Sequence, residues 1–373
     1  MTVSVSSSFD GGNIVVVGGE GAAWDLEISR DHASDFLQWF YFRVAGAAGV
    51  PLTLRIRNAG RTTYPKGWED YSARVSHDRQ DWRCADTAYD GQTLSIRHTP
   101  TTDSAWFAYF APYPTERHHD LIARTARAPG VRARVIGRTL DGQDMDLIEV
   151  GERGPAIWLI ARQHPGETMA QWWMEGALAR LTDPADPVGR ALAARARLFI
   201  VPNMNPDGSR RGHLRTNAAG VNLNRVWHAP NPASEPEVAC VLAEMAGTGV
   251  AFCIDVHGDE AIPHNFIAGF EGIPAATPRQ LGLYDRYVKT LERLTPEFQS
   301  RIGYGVAKPG TGNLTMATNA IAHRFGCPAF TLEMPFKDAT EMADPVRGWS
   351  AERSMALGRD CLAAVLEMVG ELG

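Results

Sequence analysis

Polar and apolar positions alternate along short segments in the first third of the chain, and this pattern predicts β-strands. In residues 51–57, Leu52, Leu54 and Ile56 fall on one face, as expected for a strand with one buried side. Similar apolar or aromatic segments occur at 36–44, 71–75, 93–97 and 105–110. Short strands at this spacing predict an all-β sandwich over residues 1–113.

After residue 114 the pattern changes to apolar runs that alternate with segments of helical period. The runs lie at 131–138, 146–150, 156–161, 196–202, 250–256 and 328–334, and the helical segments at 169–181, 236–246, 281–294 and 353–369. Nearly continuous apolar strands are typical of parallel sheets that are covered on both faces. Residues 114–373 are therefore predicted to form an α/β domain with a mixed, largely parallel sheet covered by helices.

Composition and charge narrow the class of protein. The 373 residues carry a net charge of −6, so nucleic acid and anionic membrane surfaces are not expected as partners. No apolar run reaches the ~18 residues of a membrane span, and the first residues lack the pattern of a signal peptide. The five scattered cysteines are typical of a reduced, cytoplasmic protein. A homo-oligomer is compatible with the sequence.

Polar side chains follow four of the predicted strands at the point where each strand ends. They are His164 and Glu167 after 156–161, the loop 203–208 after 196–202, His257 after 250–256, and Glu333 near the end of 328–334. In open α/β sheets, ligands bind at the carboxyl ends of the strands. This convergence predicts a metal site at one edge of the sheet.

The metal ligands predicted from this convergence are His164, Glu167 and His257. On its own, the His-x-x-Glu spacing of the first two is more typical of a surface loop than of a metal site. With His257 it forms a two-histidine, one-glutamate set, which binds zinc in catalytic sites and leaves one position open for water. Zinc lowers the pKa of that water to roughly 7.

Two further groups of polar residues have candidate roles beside a metal. Glu333 is an isolated acid on an apolar strand, which suggests a general base; a structural salt bridge is the alternative. The stretch 214–227 contains two arginines and three asparagines. Arginine binds carboxylates bidentately and stabilises oxyanions, whereas the alternative is an ordinary solvated loop.

Together these motifs resemble the zinc metallocarboxypeptidases. The motifs are His164-Pro-Gly-Glu167-Thr, Asn205-Pro-Asp-Gly208, Arg215, Asn222-Leu-Asn224-Arg225-Val-Trp227, Asp255-Val-His257-Gly and Thr331-Leu-Glu333. The segments Trp39-Phe-Tyr-Phe42 and Tyr109-Phe-Ala-Pro-Tyr-Pro114 are similar to the cytosolic carboxypeptidase branch, whose eukaryotic members include the tubulin deglutamylases.

The resemblance implies a role for each matching residue. His164, Glu167 and His257 would hold one zinc ion per chain. Glu333 would be the general base and then the proton donor, and Arg215 would polarise the scissile carbonyl. Asn224 and Arg225 would bind the terminal carboxylate of the substrate, which would be the C-terminus of a peptide or protein.

Two positions depart from the family pattern. Tyr304 is the nearest match to an active-site tyrosine but stays unassigned. Asn313 stands in Gly310-Thr-Gly-Asn313, where deglutamylating members have arginine, so we expect weak selectivity for C-terminal glutamate.

Two other functions are compatible with the sequence. One is a zinc-dependent deacylase of small N-acyl amino acids, which has the same fold and ligands. The other is a non-catalytic binding protein with a vestigial site. The N-terminal β-domain and the pair Asn224-Arg225 favour the peptidase, and the intact set of His164, Glu167, His257 and Glu333 argues against a vestigial site.

Overall fold

A computed structural model describes residues 2–373. Its N-terminal part contains two five-stranded sheets that share one hydrophobic core, which confirms the predicted sandwich. The sheet orders are β1-β4-β10-β6-β7 and β2-β3-β5-β9-β8. The strands are β1 (Ser4–Ser6), β2 (Val15–Glu20), β3 (Ala23–Glu27), β4 (Tyr41–Ala45), β5 (Leu52–Ile56), β6 (Arg74–Ser76), β7 (Arg83–Cys84), β8 (Asp86–Tyr89), β9 (Leu94–His98) and β10 (Ser104–Ala108).

Alternation in the sequence explains how this sandwich is filled. Leu52, Leu54 and Ile56 of β5 are all buried, because alternate residues of a strand share one face. In the other sheet, Phe42 of β4 stacks on Phe107 of β10 with ring centroids 5.4 Å apart. Aromatic pairs of this kind add stability beyond their buried area.

The C-terminal part is built on one seven-stranded sheet of order β11-β12-β14-β13-β15-β17-β16. Its four neighbouring strands β14, β13, β15 and β17 are parallel, and the strands outside them pair antiparallel. The strands are β11 (Val131–Arg138), β12 (Asp144–Val150), β13 (Ala156–Ala161), β14 (Arg197–Val201), β15 (Phe252–Asp259), β16 (Phe266–Ala268) and β17 (Ala329–Pro335). The helices are α1 (Thr115–Ala126), α2 (Thr168–Thr182), α3 (Pro187–Arg195), α4 (Pro206–Arg211), α5 (Pro236–Thr248), α6 (Pro278–Leu294), α7 (Ala317–Phe325) and α8 (Ala351–Met368).

Helices cover both faces of this sheet, as the apolar strands predict. Ile157 and Leu159 of β13 belong to the core beneath α2 and α8, whereas Trp158 and Ile160 belong to the core beneath α5 and α7. All four side chains are fully buried. A strand covered on both sides has no polar face, which is why its sequence is continuously apolar.

The two parts are in close contact. Tyr109 stacks on Phe336 with centroids 4.2 Å apart, and Asp10 accepts hydrogen bonds from the backbone N–H and hydroxyl of Thr115 at 2.7 and 2.8 Å. The predicted boundary between residues 113 and 114 falls in the connection between β10 and α1. As a division into separate folding units, it stays a prediction.

Within residues 2–373, no helix combines the length and the apolar character needed to cross a bilayer.

Candidate metal centre and active site

The carboxyl ends of the parallel strands deliver the candidate residues to one edge of the sheet. β13 leads into the loop with His164 and Glu167, and β15 carries His257. His257 is paired with Glu333 of β17 in the parallel register. The sheet itself therefore sets the spacing between these two residues.

Buried hydrogen bonds and a close backbone contact hold the loop between β13 and α2 in place. Arg162 adopts a left-handed backbone with φ of 60°, and its buried guanidinium donates to the carbonyls of Pro165 and Tyr113 at 2.9 and 2.8 Å. A side chain at Gly166 would meet the carbonyl of Leu214 at 3.0 Å, so this close approach favours glycine. The loop is thereby fixed with His164 and Glu167 facing inward.

His164, Glu167 and His257 converge on one point and are all buried. Glu167 Oε1 lies 2.6 Å from His164 Nδ1, and Glu167 Oε2 lies 2.8 Å from His257 Nδ1. The two Nδ1 atoms are 3.1 Å apart. Three such ligand atoms within 4.8 Å of one another could hold a metal ion, and two nitrogens with one carboxylate suit zinc.

The second nitrogen of each imidazole fixes its tautomer. His257 Nε2 donates to Asp255 Oδ2 at 2.9 Å, and His164 Nε2 donates to Asn222 Oδ1 at 3.1 Å. A proton on Nε2 leaves the lone pair of Nδ1 free for a metal, and such outer contacts orient metal ligands. Both histidines could therefore bind a metal through Nδ1.

A chain of buried hydrogen bonds continues behind His257. Trp227 Nε1 donates to Gln163 Oε1 at 2.8 Å, and Gln163 Nε2 donates to Asp255 Oδ2 at 2.6 Å. The chain joins the loop after β13 to β15. It also connects Trp227, through Gln163 and Asp255, to the candidate metal ligand His257.

The electrostatics of the three residues also fit a bound cation. Burial and then the positive charge of Arg215 lower the pKa of His164 to about 3. Burial opposes the charged forms of His257 and Glu167, but Asp255 and Glu167 raise the pKa of His257 and the two histidines lower the pKa of Glu167. The buried negative charges thus demand a positive one, which a metal supplies when it displaces the proton.

Glu333 lies in this buried environment without a counter-ion. Its side chain is 6% exposed, and among residues 2–373 its Oε2 has no hydrogen-bond partner and its carboxylate forms no ion pair. Burial raises the pKa of Glu333 well above its usual value; the charge of His257 opposes this shift, and the charges of Glu167 and Asp259 add to it. This environment does not fit the alternative of a structural salt bridge, because a buried structural charge needs a partner.

Tyr304, unassigned from the sequence, reaches the site from an exposed loop. Its hydroxyl donates to Asp259 Oδ2 at 2.6 Å and lies 3.4 Å from Glu333 Oε1. Its ring packs edge-on against Phe266 with centroids 4.9 Å apart. No sequence pattern marks this position, since the surrounding segment has neither strand nor helix period.

The predicted arginines lie beside the metal site. Arg215 Nη1 is 4.0 Å from Glu167 Oε1, and Arg225 Nη1 donates to the carbonyl of Asn224 at 2.6 Å. Partial burial and then the charge of Arg215 lower the pKa of Arg225, so the two guanidinium groups repel each other. Within the described part of the chain Arg225 has no acidic partner, which leaves it available for an anion.

Asn224 plays a structural part in the same region. Its Oδ1 accepts a hydrogen bond of 2.8 Å from the backbone N–H of Ala317, the first residue of α7. Asn313 is exposed, and its Oδ1 accepts from the N–H and hydroxyl of Thr315 at 3.0 and 2.7 Å.

Family models match both parts of the chain. A model described as the cytosolic carboxypeptidase N-terminal domain matches residues 5–110, and one described as zinc carboxypeptidase matches residues 119–345.

Known relatives agree with these matches. An uncharacterized protein of Zymomonas mobilis is 56% identical over 372 residues, which are 100% of this chain and 98% of that protein. The mouse cytosolic carboxypeptidase 1 is 27% identical over 323 residues. That match takes in 72% of this chain but 26% of the mouse protein, so this chain spans about a quarter of that relative.

A solved structure has the same overall fold. The metallo-carboxypeptidase from Pseudomonas aeruginosa, in complex with (2-guanidinoethylmercapto)succinic acid, has a TM-score of 0.97 and 41% identity, with 99% of this chain and 100% of that chain covered.

Proposed function

This chain belongs to the zinc carboxypeptidase family, and from that premise we propose that it hydrolyses the C-terminal peptide bond of peptides or proteins. The observation that carries the proposal is the position of two arginines, Arg215 and Arg225, next to a buried His-Glu-His cluster. A metal site beside an unpaired guanidinium combines a hydrolytic centre with a binding site for a terminal carboxylate.

In this proposal one zinc ion per chain would be held by Nδ1 of His164, by the carboxylate of Glu167 and by Nδ1 of His257. The contacts of Asp255 and Asn222 to the two Nε2 atoms support it. When bound, zinc supplies a water molecule of lowered pKa, roughly 7, and a Lewis acid for the scissile carbonyl.

Glu333 is proposed as the general base and then the general acid. A carboxyl whose pKa is raised toward the working pH can both accept and return a proton, and burial raises the pKa of Glu333. Glu333 takes a proton from the attacking water and passes it to the amine that leaves.

The arginines are proposed to bind the substrate's oxygen atoms. Arg215, nearest to Glu167, stabilises the oxyanion that develops on the scissile carbonyl. Arg225 and the amide of Asn224 bind the terminal carboxylate. The Pseudomonas relative forms a complex with a succinic acid derivative, a compound that carries carboxylates.

We also propose that the protein works in the cytoplasm. Its relatives include proteins named cytosolic carboxypeptidases, and the five cysteines are free thiols, as is usual in a reducing compartment.

Release of free amino acids from a mixed peptide library tests this function. We expect release from peptides with a free C-terminus, loss of release on treatment with a zinc chelator, and recovery when zinc is restored. The same assay on small N-acyl amino acids tests the deacylase alternative. Faster hydrolysis of those compounds than of peptides would contradict the peptidase, and no hydrolysis of either by zinc-loaded protein would indicate a vestigial site.

A further inference from the structure

A carboxylate from the N-terminal sandwich holds the loop that carries Arg215. Asp31 is buried and lies in the connection between β3 and β4. Its two oxygens accept hydrogen bonds from the backbone N–H groups of Leu214, Arg215 and Thr216 at 2.6, 2.8 and 2.9 Å. The hydroxyl of Thr216 donates to the same carboxylate at 3.1 Å.

The sandwich also contacts the side chain of Arg215. The guanidinium carbon lies 5.6 Å from the ring centroid of Phe36 and 5.7 Å from that of Tyr64. Cations within about 6 Å of an aromatic centroid are attracted to the ring. The side chain of Arg215 is 12% exposed, so these rings leave it little freedom.

These contacts act on the backbone and the side chain of one residue together. Three consecutive N–H groups bonded to one ionised carboxylate are charge-assisted and stronger than neutral hydrogen bonds. The hydrogen bonds fix the backbone position of Arg215, and the two aromatic rings fix the position of its guanidinium group. A displacement of a positioning group by about 1 Å can cost on the order of 10²-fold in rate.

We propose that Asp31 is a positioning residue for Arg215, and that the N-terminal sandwich thereby completes the active site. The inference rests on the proposed function, because the proposed role of Arg215 is to stabilise the transition state. The sandwich would then contribute to catalysis through Arg215, although the zinc ligands and Glu333 all belong to the C-terminal part.

The test compares Asp31→Asn with Asp10→Asn. Asp10 is a matched control, because it is also a sandwich acid that accepts two hydrogen bonds from the C-terminal part, at Thr115. We expect Asp31→Asn to lower kcat/KM for a free-acid peptide about 10- to 100-fold, mainly through kcat and with unchanged zinc content. Asp10→Asn should stay within about twofold of the wild type, as expected of a change outside the site.

A double-mutant cycle separates positioning from a general loss of structure. If Asp31 acts through Arg215, Asp31→Asn should change the rate of Arg215→Ala by less than about twofold. Equal rates for Asp31→Asn and Asp10→Asn, or full effects of Asp31→Asn in the Arg215→Ala background, would overturn the proposal.

Two measurements keep the outcome decisive. If Asp31→Asn does not fold, Phe36→Leu can be used instead, because it removes one of the two rings that contact Arg215. A fall in kcat at unchanged zinc content would support the proposal. An unchanged kcat would overturn it. A zinc-loaded wild-type protein without activity would instead overturn the proposed function. An active wild type with a fully active, folded Asp31→Asn variant would overturn only the positioning role.

Discussion

Asp255 and His257 lie two residues apart on β15, and the Asp255 Oδ2 atom is 2.9 Å from His257 Nε2, with both side chains buried. Residues i and i+2 of a strand point to the same face. One strand therefore provides both a candidate metal ligand and the carboxylate that orients its imidazole.

Replacement of Asp255 tests this relationship. Asp255→Asn removes the charge that holds His257, so we expect zinc affinity to fall by about 10- to 100-fold. His164→Ala removes a ligand and should lose most of the metal. Competition with a colorimetric chelator measures both. Asp141→Asn, which alters a pair with Arg211 outside the site, is the control, and an unchanged affinity in Asp255→Asn would contradict the tautomer argument.

Glu333→Gln separates metal binding from proton transfer. The amide retains the shape of the side chain but cannot accept the proton, so hydrolysis should fall by at least ~10²–10⁴-fold. Zinc content, measured by atomic absorption, should not change. Glu371→Gln, at an exposed pair with Arg286, should leave the rate unaltered. Near wild-type turnover in Glu333→Gln would mean that another group is the base.

The proposed contact between the peptide's terminal carboxylate and Arg225 can be removed by a change in either the peptide or the protein. Amidation of a peptide's C-terminus should abolish cleavage by the wild type, and Arg225→Gln should slow cleavage of the free acid, since a charge-assisted hydrogen bond contributes ~1.5–3 kcal/mol. The ratio of kcat/KM for matched acid and amide peptides measures the effect. Equal cleavage of the two peptides by the wild type would point to an endopeptidase.

Glu237 predicts a dependence of stability on pH that is separate from activity. Burial raises the pKa of Glu237 to about 7 from 4.5. The folded protein therefore keeps this proton where the unfolded chain has lost it, so the contribution to stability is full below pH 4.5 and disappears as the pH rises through 7. Glu237→Gln should stabilise the protein at pH 8 by up to about 3 kcal/mol and change little at pH 4.5.

Denaturant unfolding at the two pH values measures this effect. Glu244 lies on the same helix, but its pKa is lowered, chiefly by its hydrogen bonds with Arg134. Glu244→Gln should therefore give no stabilisation at pH 8. A Glu237→Gln variant that is less stable than the wild type at pH 8 would show that the folded protein stabilises the charged carboxylate, which would contradict the raised pKa.

The sequence predicts elements whose burial follows a simple period and misses those that depend on distant contacts. β5 and β13 could be predicted because their faces are buried on one or both sides. β2 could not, because Val15, Val16 and Val17 are exposed and two glycines follow them. The start of α7 is set by Asn224, which lies far away in the sequence. α3 was missed although Asp186 caps its first N–H groups, a signal that apolar periodicity does not include.

The same distinction holds for the site. His164 follows a strand, and His257 and Glu333 lie near the carboxyl ends of theirs, so the rule about carboxyl ends of strands predicts that they come together. Tyr304 and Asp31 come from segments without a period, and only the packing of the whole chain brings them to the site. Asp255 could have been found, since it precedes His257 by two residues on a strand.

The register that sets His257 opposite Glu333 ties the metal site to the proposed base through the backbone of neighbouring strands. The chain between β15 and β17 contains the edge strand β16, which pairs with the other side of β17, and also the exposed residues 301–311. We expect the exposed residues to accept insertions and exchanges that alter which substrates enter, while the separation of ligand and base stays constant. Substrate choice can thus change through the loop while the residues for bond cleavage stay fixed by the sheet, so the two properties can evolve independently.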